Sequence, residues 1–329
     1  MLYGCLFGYG RAGKIHFNNL INNTDICLKY IYDTPSELCN ILDQITSTNK
    51  NINVTSNLQM ILDDKQVNVC IICTPTSLHF SLIMACLSQN KHVFCEKPIS
   101  NIENEIKDSY SLAREKNLVL LCALNRRFDP NIMQLKSDIT KLGNIYQINT
   151  VSRDYPYPTY NYLKISSGLF ADCAVHDIDY INWLLDDRPK NVYVSGSVVM
   201  PEKIGAGELD NAIIIMEYSG GIMANINLSR ISTTYDQRIE IFGAKGKLMS
   251  SNPYNEKYID LIETREDKIS FPQRYCHSYR NELSHFIQVI YGNVDIKVKM
   301  CDVLNCIRIV EACEKSFRMS CKTNVYYDM

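Results

Sequence analysis

The feature that most constrains the fold of this 329-residue chain is its opening stretch, LYGCLFGYGRAGKIHFNNL at residues 2–20. An apolar run typical of a buried strand leads through three glycines into apolar residues at helical spacing. The alternation then repeats. Strand-like runs occur at 2–8, 27–33, 51–55, 67–73, 92–96 and 118–124, with helical patterns between them at 13–22, 36–43, 57–64, 77–89 and 102–116. This rhythm predicts an α/β domain with a doubly wound parallel sheet.

The pattern changes after about residue 124. Helical patterns at 129–142 and 170–185 flank a strand at 145–154, and helical patterns return at 276–291 and 302–319. Strand-like runs without intervening helices lie at 191–200, 211–219, 221–230, 237–243, 246–251 and 257–264. We therefore expect a Rossmann-type domain at 1–123 and an α+β domain at 124–329 with a large, mostly antiparallel open sheet.

The glycine-rich segment between the first strand and helix has the spacing of a dinucleotide-binding loop. Gly8 permits a tight turn, Gly10 lets the backbone approach a pyrophosphate, and Gly13 allows the helix to pack closely on the strand. Asp33 ends the second strand, where its carboxylate would bind ribose hydroxyls and repel a 2′-phosphate, favouring NAD over NADP. Thr34 could contribute to that selectivity. Asp33 could instead cap the turn that follows it.

Composition excludes several function classes. The formal net charge of −2 gives no general attraction to nucleic acid or anionic membranes. No apolar run reaches the ~18 residues of a membrane span, and no secretory signal precedes the first strand, so we expect a cytoplasmic protein. The Cys70–Cys73 CxxC lies in a predicted buried strand, where its thiols would point to opposite faces, so we expect no metal or redox site there.

Two segments carry candidate catalytic residues. Asp172 and His176 lie one turn apart in SSGLFADCAVHDIDYINWLL, so they share a helix face and could form a general base with its orienting acid. A solvated helix start is the alternative. Lys97 follows the fifth strand in CEKP, where it could stabilise a developing alkoxide or simply pair with Glu96 at the surface. His176, Asp177 and Asp179 form an HDxD cluster, but no second histidine lies at metal-ligand spacing.

These motifs in this order resemble the Gfo/Idh/MocA family of nicotinamide oxidoreductases. The segments LNRRFDPN (124–131), SRDYPYPTYNYLKISSGLFADCAVHDID (152–179), TTYDQRIEIFGAKG (233–246) and QRYCHSYRNELSHF (273–286) are similar to its inositol-oxidising branch. The chain departs from that branch at Ser167-Gly168, where two glycines are usual, and in the aromatic run Tyr155-Pro156-Tyr157-Pro158. These departures leave the choice of polyol open.

The resemblance implies a substrate cleft between the domains and a catalytic trio of Lys97, Asp172 and His176. The cofactor contacts that it implies are Gly8, Tyr9, Gly10, Arg11, Ala12, Gly13, Asp33, Thr34, Thr74, Pro75, His79, Glu96 and Lys97. The implied substrate contacts are Lys97, Asn125, Arg127, Tyr155, Asp172, His176, Asp179 and Tyr235. For several of the latter, a structural role is the alternative.

The implied activity is NAD-dependent oxidation of a secondary hydroxyl of myo-inositol to the 2-keto inosose, without a metal. Alternatives are the same chemistry on another cyclitol, a sugar or a dihydrodiol, NAD-dependent glycoside cleavage, or a non-catalytic NAD-binding regulator. In the family, the outer face of the open sheet commonly packs against another subunit, so we expect a homodimer or homotetramer.

Overall fold

The computed structural model describes residues 1–46, 51–200, 209–252 and 270–328. The chain forms two compact units, one comprising Met1–Leu124 with Tyr279–Val303 and the other Asn125–Ser278 with Leu304–Met329. The division near residue 124 lies one residue from the predicted boundary. The inclusion of Tyr279–Val303 in the first unit differs from the prediction of two consecutive domains.

The first unit contains the predicted parallel sheet. Its strands, in spatial order β3-β2-β1-β4-β5-β6, are all paired in parallel. They are β1 (Leu2–Phe7), β2 (Ile26–Tyr32), β3 (Asn53–Thr55), β4 (Val69–Ile72), β5 (His92–Glu96) and β6 (Leu120–Ala123). All four residues of β4 and of β6 are buried, as expected for strands covered on both faces. The doubly wound α/β prediction is confirmed.

Helices connect these strands and occupy much of the second unit. Those described are α1 (Arg11–Ile21), α2 (Leu38–Ile45), α3 (Leu58–Asp63), α4 (His79–Ser88), α5 (Glu103–Glu115), α6 (Pro130–Asp138), α7 (Tyr160–Ile165), α8 (Val175–Leu185), α9 (Phe271–Arg274), α10 (Cys276–Ile290) and α11 (Met300–Met319). Asn90 and Asn117, just beyond α4 and α5, have φ of 56° and 53°, the left-handed conformation that asparagine often adopts after a helix. Among the described residues, no helix has the length and hydropathy needed to cross a membrane.

Most of α10 belongs to the first unit because its apolar face enters that unit's core. Leu283, Phe286 and Ile287 are buried in the same cluster as Leu6 and other strand residues. The ring of Phe286 packs edge-on against that of Phe94 on β5, with centroids 5.7 Å apart. An amphipathic pattern reveals which helix face is buried but not which sheet buries it, so the sequence could not assign α10 to the first unit.

The second unit contains the predicted open sheet. Its seven strands are ordered β12-β11-β7-β10-β9-β8-β13. They are β7 (Ile145–Arg153), β8 (Asn191–Ser197), β9 (Asn211–Glu217), β10 (Met223–Ser229), β11 (Asp236–Gly243), β12 (Gly246–Ser250) and β13 (Thr323–Asn324). All described pairs are antiparallel except β7 with β10. The mostly antiparallel prediction is confirmed, although β13 was not predicted and the strand predicted at 257–264 lies outside the described residues.

Local geometry adds detail at one strand connection and modifies one predicted helix. Gly220 and Gly221 have φ of 67° and 84° in the connection between β9 and β10, a conformation that glycine adopts without strain. The helix predicted over 170–185 is interrupted, because residues Phe170–Ala174 form a π-helical turn before α8. Such turns insert a residue into the helical repeat and often lie at functional sites.

Candidate active site

The glycine loop between β1 and α1 is shaped by close backbone packing. Gly8 has φ +85°, and a Cβ there would lie 2.8 Å from the carbonyl oxygen of Cys73. A Cβ on Gly13 would lie 2.0 Å from the carbonyl oxygen of Gly8, so only glycine allows α1 to begin this close to β1. A Cβ on Gly10 would meet no atom within 4 Å. Gly10 therefore borders open space, whereas the other two glycines serve the fold.

The open space at Gly10 faces groups that suit an anionic dinucleotide. Gly10 precedes α1 without a capping side chain, so the first backbone N–H groups of the helix are available to a phosphate. At the end of β4, the buried hydroxyl Oγ1 of Thr74 has no hydrogen-bond partner. A helix N-terminus without a capping side chain, a glycine that leaves room for a ligand and an orphaned hydroxyl together fit a bound dinucleotide.

Asp33 makes two hydrogen bonds within the protein, and one of them is the predicted turn-capping bond. Its Oδ2 accepts a hydrogen bond from the backbone N–H of Tyr9 at 2.7 Å, which fixes the glycine loop. Its Oδ1 accepts from the N–H of Thr34 at 2.8 Å, as a turn-capping carboxylate would. A carboxylate has about four acceptor positions, so these two bonds leave room for ribose hydroxyls.

His79 joins the loops that follow β4 and β5. Its side chain is 1% exposed, with Nδ1 2.7 Å from the carbonyl oxygen of Pro98 and Nε2 2.8 Å from that of Thr74. Burial lowers the pKa of His79, so the neutral ring donates to one carbonyl at a time. Both ring nitrogens face backbone. His79 therefore joins the two loops through both ring nitrogens, and its predicted contact with a cofactor stays a prediction.

A second buried histidine binds the residue before Lys97. His16 on α1 is fully buried, its Nε2 lies 2.9 Å from Oε1 of Glu96, and its ring packs edge-on against Phe94. Glu96 is thus bound by an imidazole at the end of β5, and the half-buried Lys97 follows it. No sequence signal pointed to His16, because one histidine on an amphipathic helix is usually a surface or core residue.

A buried acidic group lies close to the same strand ends. Burial raises the pKa of the Cys73 thiol, and the nearby carboxylates of Glu96 and Glu282 raise it further. Glu282 on α10 is fully buried. Glu282 was not among the predicted site residues, although an acidic residue within the apolar stripe of a predicted helix is a signal for a buried carboxylate. Burial also raises the pKa of Cys70, so neither CxxC thiol is a good thiolate at neutral pH.

In the second unit, Asp172 lies in the π-helical turn and His176 in the first turn of α8. The Asp172 carboxylate, 14% exposed, accepts a hydrogen bond from Nη2 of Arg230 at 3.0 Å and one from the Tyr162 hydroxyl at 2.9 Å. His176 is half-buried. The predicted acid is therefore held from two sides by residues that the sequence reasoning did not connect to it.

Asp177, next to His176, forms a buried structural network. Its carboxylate accepts hydrogen bonds from the Ser152 hydroxyl at 2.7 Å and the Tyr180 hydroxyl at 2.8 Å. The Gln237 amide donates to it at 3.0 Å, and Nη1 of Arg126 lies 2.9 Å away. These contacts join α8 to β7 and β11. In the described part of the chain, no group of three or more acidic, histidine or cysteine side chains could hold a metal ion.

Two predicted substrate contacts form an ion pair with each other. Arg127 donates to Asp179 through Nε at 2.8 Å and Nη2 at 2.6 Å, and their side chains are only 2% and 1% exposed. Asn125 is also buried, and its carbonyl oxygen accepts a hydrogen bond from the Ser278 hydroxyl. Arg127 and Asp179 therefore have each other as internal partners, whereas the bond to Asn125 involves only its backbone, and the substrate contacts of all three stay a prediction.

The remaining predicted contacts are two tyrosines. Tyr235 is 5% exposed, packs edge-on against Tyr275, and has its hydroxyl 3.5 Å from Nη2 of Arg126. Burial raises the pKa of Tyr235, so its hydroxyl stays protonated at neutral pH. Tyr155 is half-buried, and its backbone N–H donates to Asp154.

Comparison with known proteins agrees with the fold and the loop geometry. Residues 5–124 match the NAD-binding Rossmann fold of the Gfo/Idh/MocA oxidoreductase family, and residues 136–325 match its C-terminal alpha/beta domain. The chain is 32% identical over 292 residues to myo-inositol 2-dehydrogenase of Thermotoga maritima, covering 86% of each chain.

Solved structures show the same architecture. A myo-inositol dehydrogenase from Corynebacterium glutamicum superposes with a TM-score of 0.87 at 26% identity, covering all of both chains. The scyllo-inositol dehydrogenase of Lactobacillus casei, with bound NAD(H) and scyllo-inositol, has a TM-score of 0.83 at 25% identity over 99% of each chain. From its glycine loop to its open sheet, this chain belongs to the Gfo/Idh/MocA family of NAD-binding oxidoreductases.

Proposed function

We propose that this enzyme is a cyclitol dehydrogenase that oxidises the C2 hydroxyl of myo-inositol to the 2-keto inosose. The observation that carries the proposal is the 32% identity to a myo-inositol 2-dehydrogenase over 86% of the chain. The chain also keeps three residues suited to alcohol oxidation, namely Lys97, Asp172 and His176. A binding-only regulator would not need them, which favours an enzyme.

Each of the three residues has a distinct proposed role. His176 accepts the hydroxyl proton, and an unperturbed histidine with a pKa of ~6.5 suits that task near neutral pH. Asp172 orients the imidazole and stabilises its charged form. Lys97 holds the reacting oxygen and, in the reverse direction, polarises the ketone.

NAD supplies the acceptor for the hydride, at C4 of its nicotinamide ring. His176 would take the proton as the O–H bond breaks, and the alcohol carbon would become the carbonyl carbon of the ketone. Thr74 and the glycine loop would hold the cofactor, and Asp33 would bind its ribose hydroxyls.

The test is a screen for polyol-dependent NADH formation. Purified protein and NAD are mixed with myo-inositol, scyllo-inositol, glucose or a dihydrodiol, and kcat/KM is measured for each. The highest value on myo-inositol supports the proposal, and a much higher value on glucose or the dihydrodiol refutes it.

Scyllo-inositol is the second candidate, because a related structure at 25% identity contains it. Oxidation of either isomer at the corresponding carbon gives the same ketone, so the product does not distinguish them. Reduction of that ketone with NADH does: an axial alcohol identifies myo-inositol, and an equatorial alcohol identifies scyllo-inositol.

We also propose that the protein is a homo-oligomer formed through the outer face of the seven-stranded sheet. Six strands each expose a large apolar side chain there: Tyr146, Tyr193, Ile213, Met223, Phe242 and Met249. An apolar face of this extent commonly marks a protein interface. Sedimentation of the wild type and of Phe242→Asp tests the proposal, which predicts a smaller species for the variant.

A further inference from the structure

A buried arginine contacts the segment that carries the proposed catalytic acid. Arg230 directly follows β10, is 1% exposed, and its backbone N–H donates to the carbonyl oxygen of Asp210 at 2.8 Å. Its guanidinium is therefore held at a fixed strand end. A planar guanidinium loses little freedom when it bonds several acceptors at once.

The Arg230 side chain contacts three residues of one short segment. Nη2 donates to Oδ2 of Asp172 at 3.0 Å and to the carbonyl oxygen of Gly168 at 3.2 Å. Nε lies 3.4 Å from Sγ of Cys173. One side chain thus fixes both the turn that enters the helix and the carboxylate within it.

Asp172 needs such support because its local backbone is irregular and its other side is accessible. It lies in a π-helical turn, and Gly168 just before that turn has φ +82°. On the accessible side, the carboxylate accepts from the hydroxyl of Tyr162, which is 43% exposed. The buried arginine is therefore held more firmly beside the carboxylate than the exposed tyrosine is.

We propose that Arg230 is a positioning residue that holds the Asp172 carboxylate in the orientation required for proton transfer through His176. This inference rests on the proposed function. Arg230 touches no reacting atom and acts through Asp172. Replacement by lysine keeps the charge, but a single ammonium cannot reproduce the planar set of three contacts.

The test compares Arg230→Lys in two backgrounds, the wild type and Asp172→Asn, by steady-state kinetics with the best polyol and saturating NAD. In the wild-type background we expect kcat to fall about 10- to 100-fold, the loss typical of a displaced catalytic group. KM and the Kd for NAD should change less than about twofold. In the Asp172→Asn background the further fall should be less than about threefold, because residues that act as a unit are not additive.

Arg274→Lys is the matched control. Arg274 forms another buried ion pair in the same unit, with Nη1 2.6 Å from Oδ2 of Asp129. The Arg274→Lys variant should have a lower Tm than the wild type but should not show the fall in kcat. If Arg230→Lys does not fold, Arg230→Gln serves in the same comparison.

Three kinetic results would overturn the inference: an unchanged kcat in a folded Arg230 variant, equal losses in both backgrounds, or an effect mainly on KM or NAD binding. A crystal structure of Arg230→Lys provides a readout independent of activity. Displacement of the Asp172 carboxylate by ~1 Å or more supports the inference, and an unmoved carboxylate refutes it. If the wild type oxidises no polyol, the proposed function fails, while this readout still decides the role of Arg230.

Discussion

Asp179→Asn separates a structural role for Asp179 from the substrate contact that the sequence suggested. The wild-type carboxylate binds two nitrogens of Arg127 at 2.8 and 2.6 Å, and both side chains are almost completely buried. The Trp183 ring lies 6.0 Å from the guanidinium. Asparagine is nearly the same size but neutral, so the substitution leaves the guanidinium buried with its counter-charge removed.

The expected cost is large because the guanidinium cannot regain its hydration. Loss of one partner of a buried ion pair typically destabilises a protein by about 3–5 kcal/mol. For a unit of this size, each kcal/mol shifts the Tm by about 2–4 °C, so we expect a decrease of roughly 6 to 20 °C. Scanning calorimetry of wild type and variant measures it.

A double variant, Arg127→Met with Asp179→Leu, is the control. Replacing both charges with apolar groups of similar volume is often neutral, so it should recover most of the lost stability. If Asp179→Asn instead keeps the wild-type Tm but raises KM for the polyol, the ion pair is not structural. Asp179 is then a substrate contact, and our reasoning is refuted.

Four further predictions follow from the site geometry. His176→Ala should lower kcat by about 10²–10⁴-fold with an unchanged Kd for NAD, whereas normal turnover would make His176 structural. Asp33→Ser should reduce the ratio of kcat/KM with NAD to kcat/KM with NADP. It should also weaken NAD binding, because the Tyr9 N–H loses its acceptor. An unchanged ratio would contradict the ribose role of Asp33. Gly10→Ala should keep the wild-type Tm, because its Cβ meets no protein atom, but should weaken NAD binding, because the Cβ enters the space proposed for the cofactor. Gly13→Ala should lower the Tm, because its Cβ would meet the Gly8 carbonyl. Equal Tm losses in the two variants would contradict this distinction. Burial and nearby Lys297 lower the pKa of His285 from 6.5 to about 4 in the folded protein. As the pH drops from about 6.5 toward 4, His285 is therefore protonated in the unfolded state but not in the folded state, so the free energy of unfolding decreases. The decrease in Tm over that range should be smaller in His285→Gln, and an equal decrease would exclude His285 as its source.

Much of the architecture was predictable because it depends on local patterns. The alternation of strands and helices specified the parallel sheet, and the run of strands after residue 190 specified the open sheet. The glycines of the dinucleotide loop and the left-handed Asn90 and Asn117 follow from backbone geometry within a few residues.

The sequence by itself therefore determined the two folding patterns, the cofactor loop and a set of chemically suitable residues. Tertiary structure decided the parallel β7–β10 pair and the place of α10 in the first unit. It also decided which charged side chains form ion pairs with each other inside the protein. The ion pairs of Arg127 with Asp179 and of Arg230 with Asp172 join residues 52 and 58 positions apart. Periodicity reports which side of an element is buried, but the partner of a buried charge is set by contacts between elements that only the folded chain brings together.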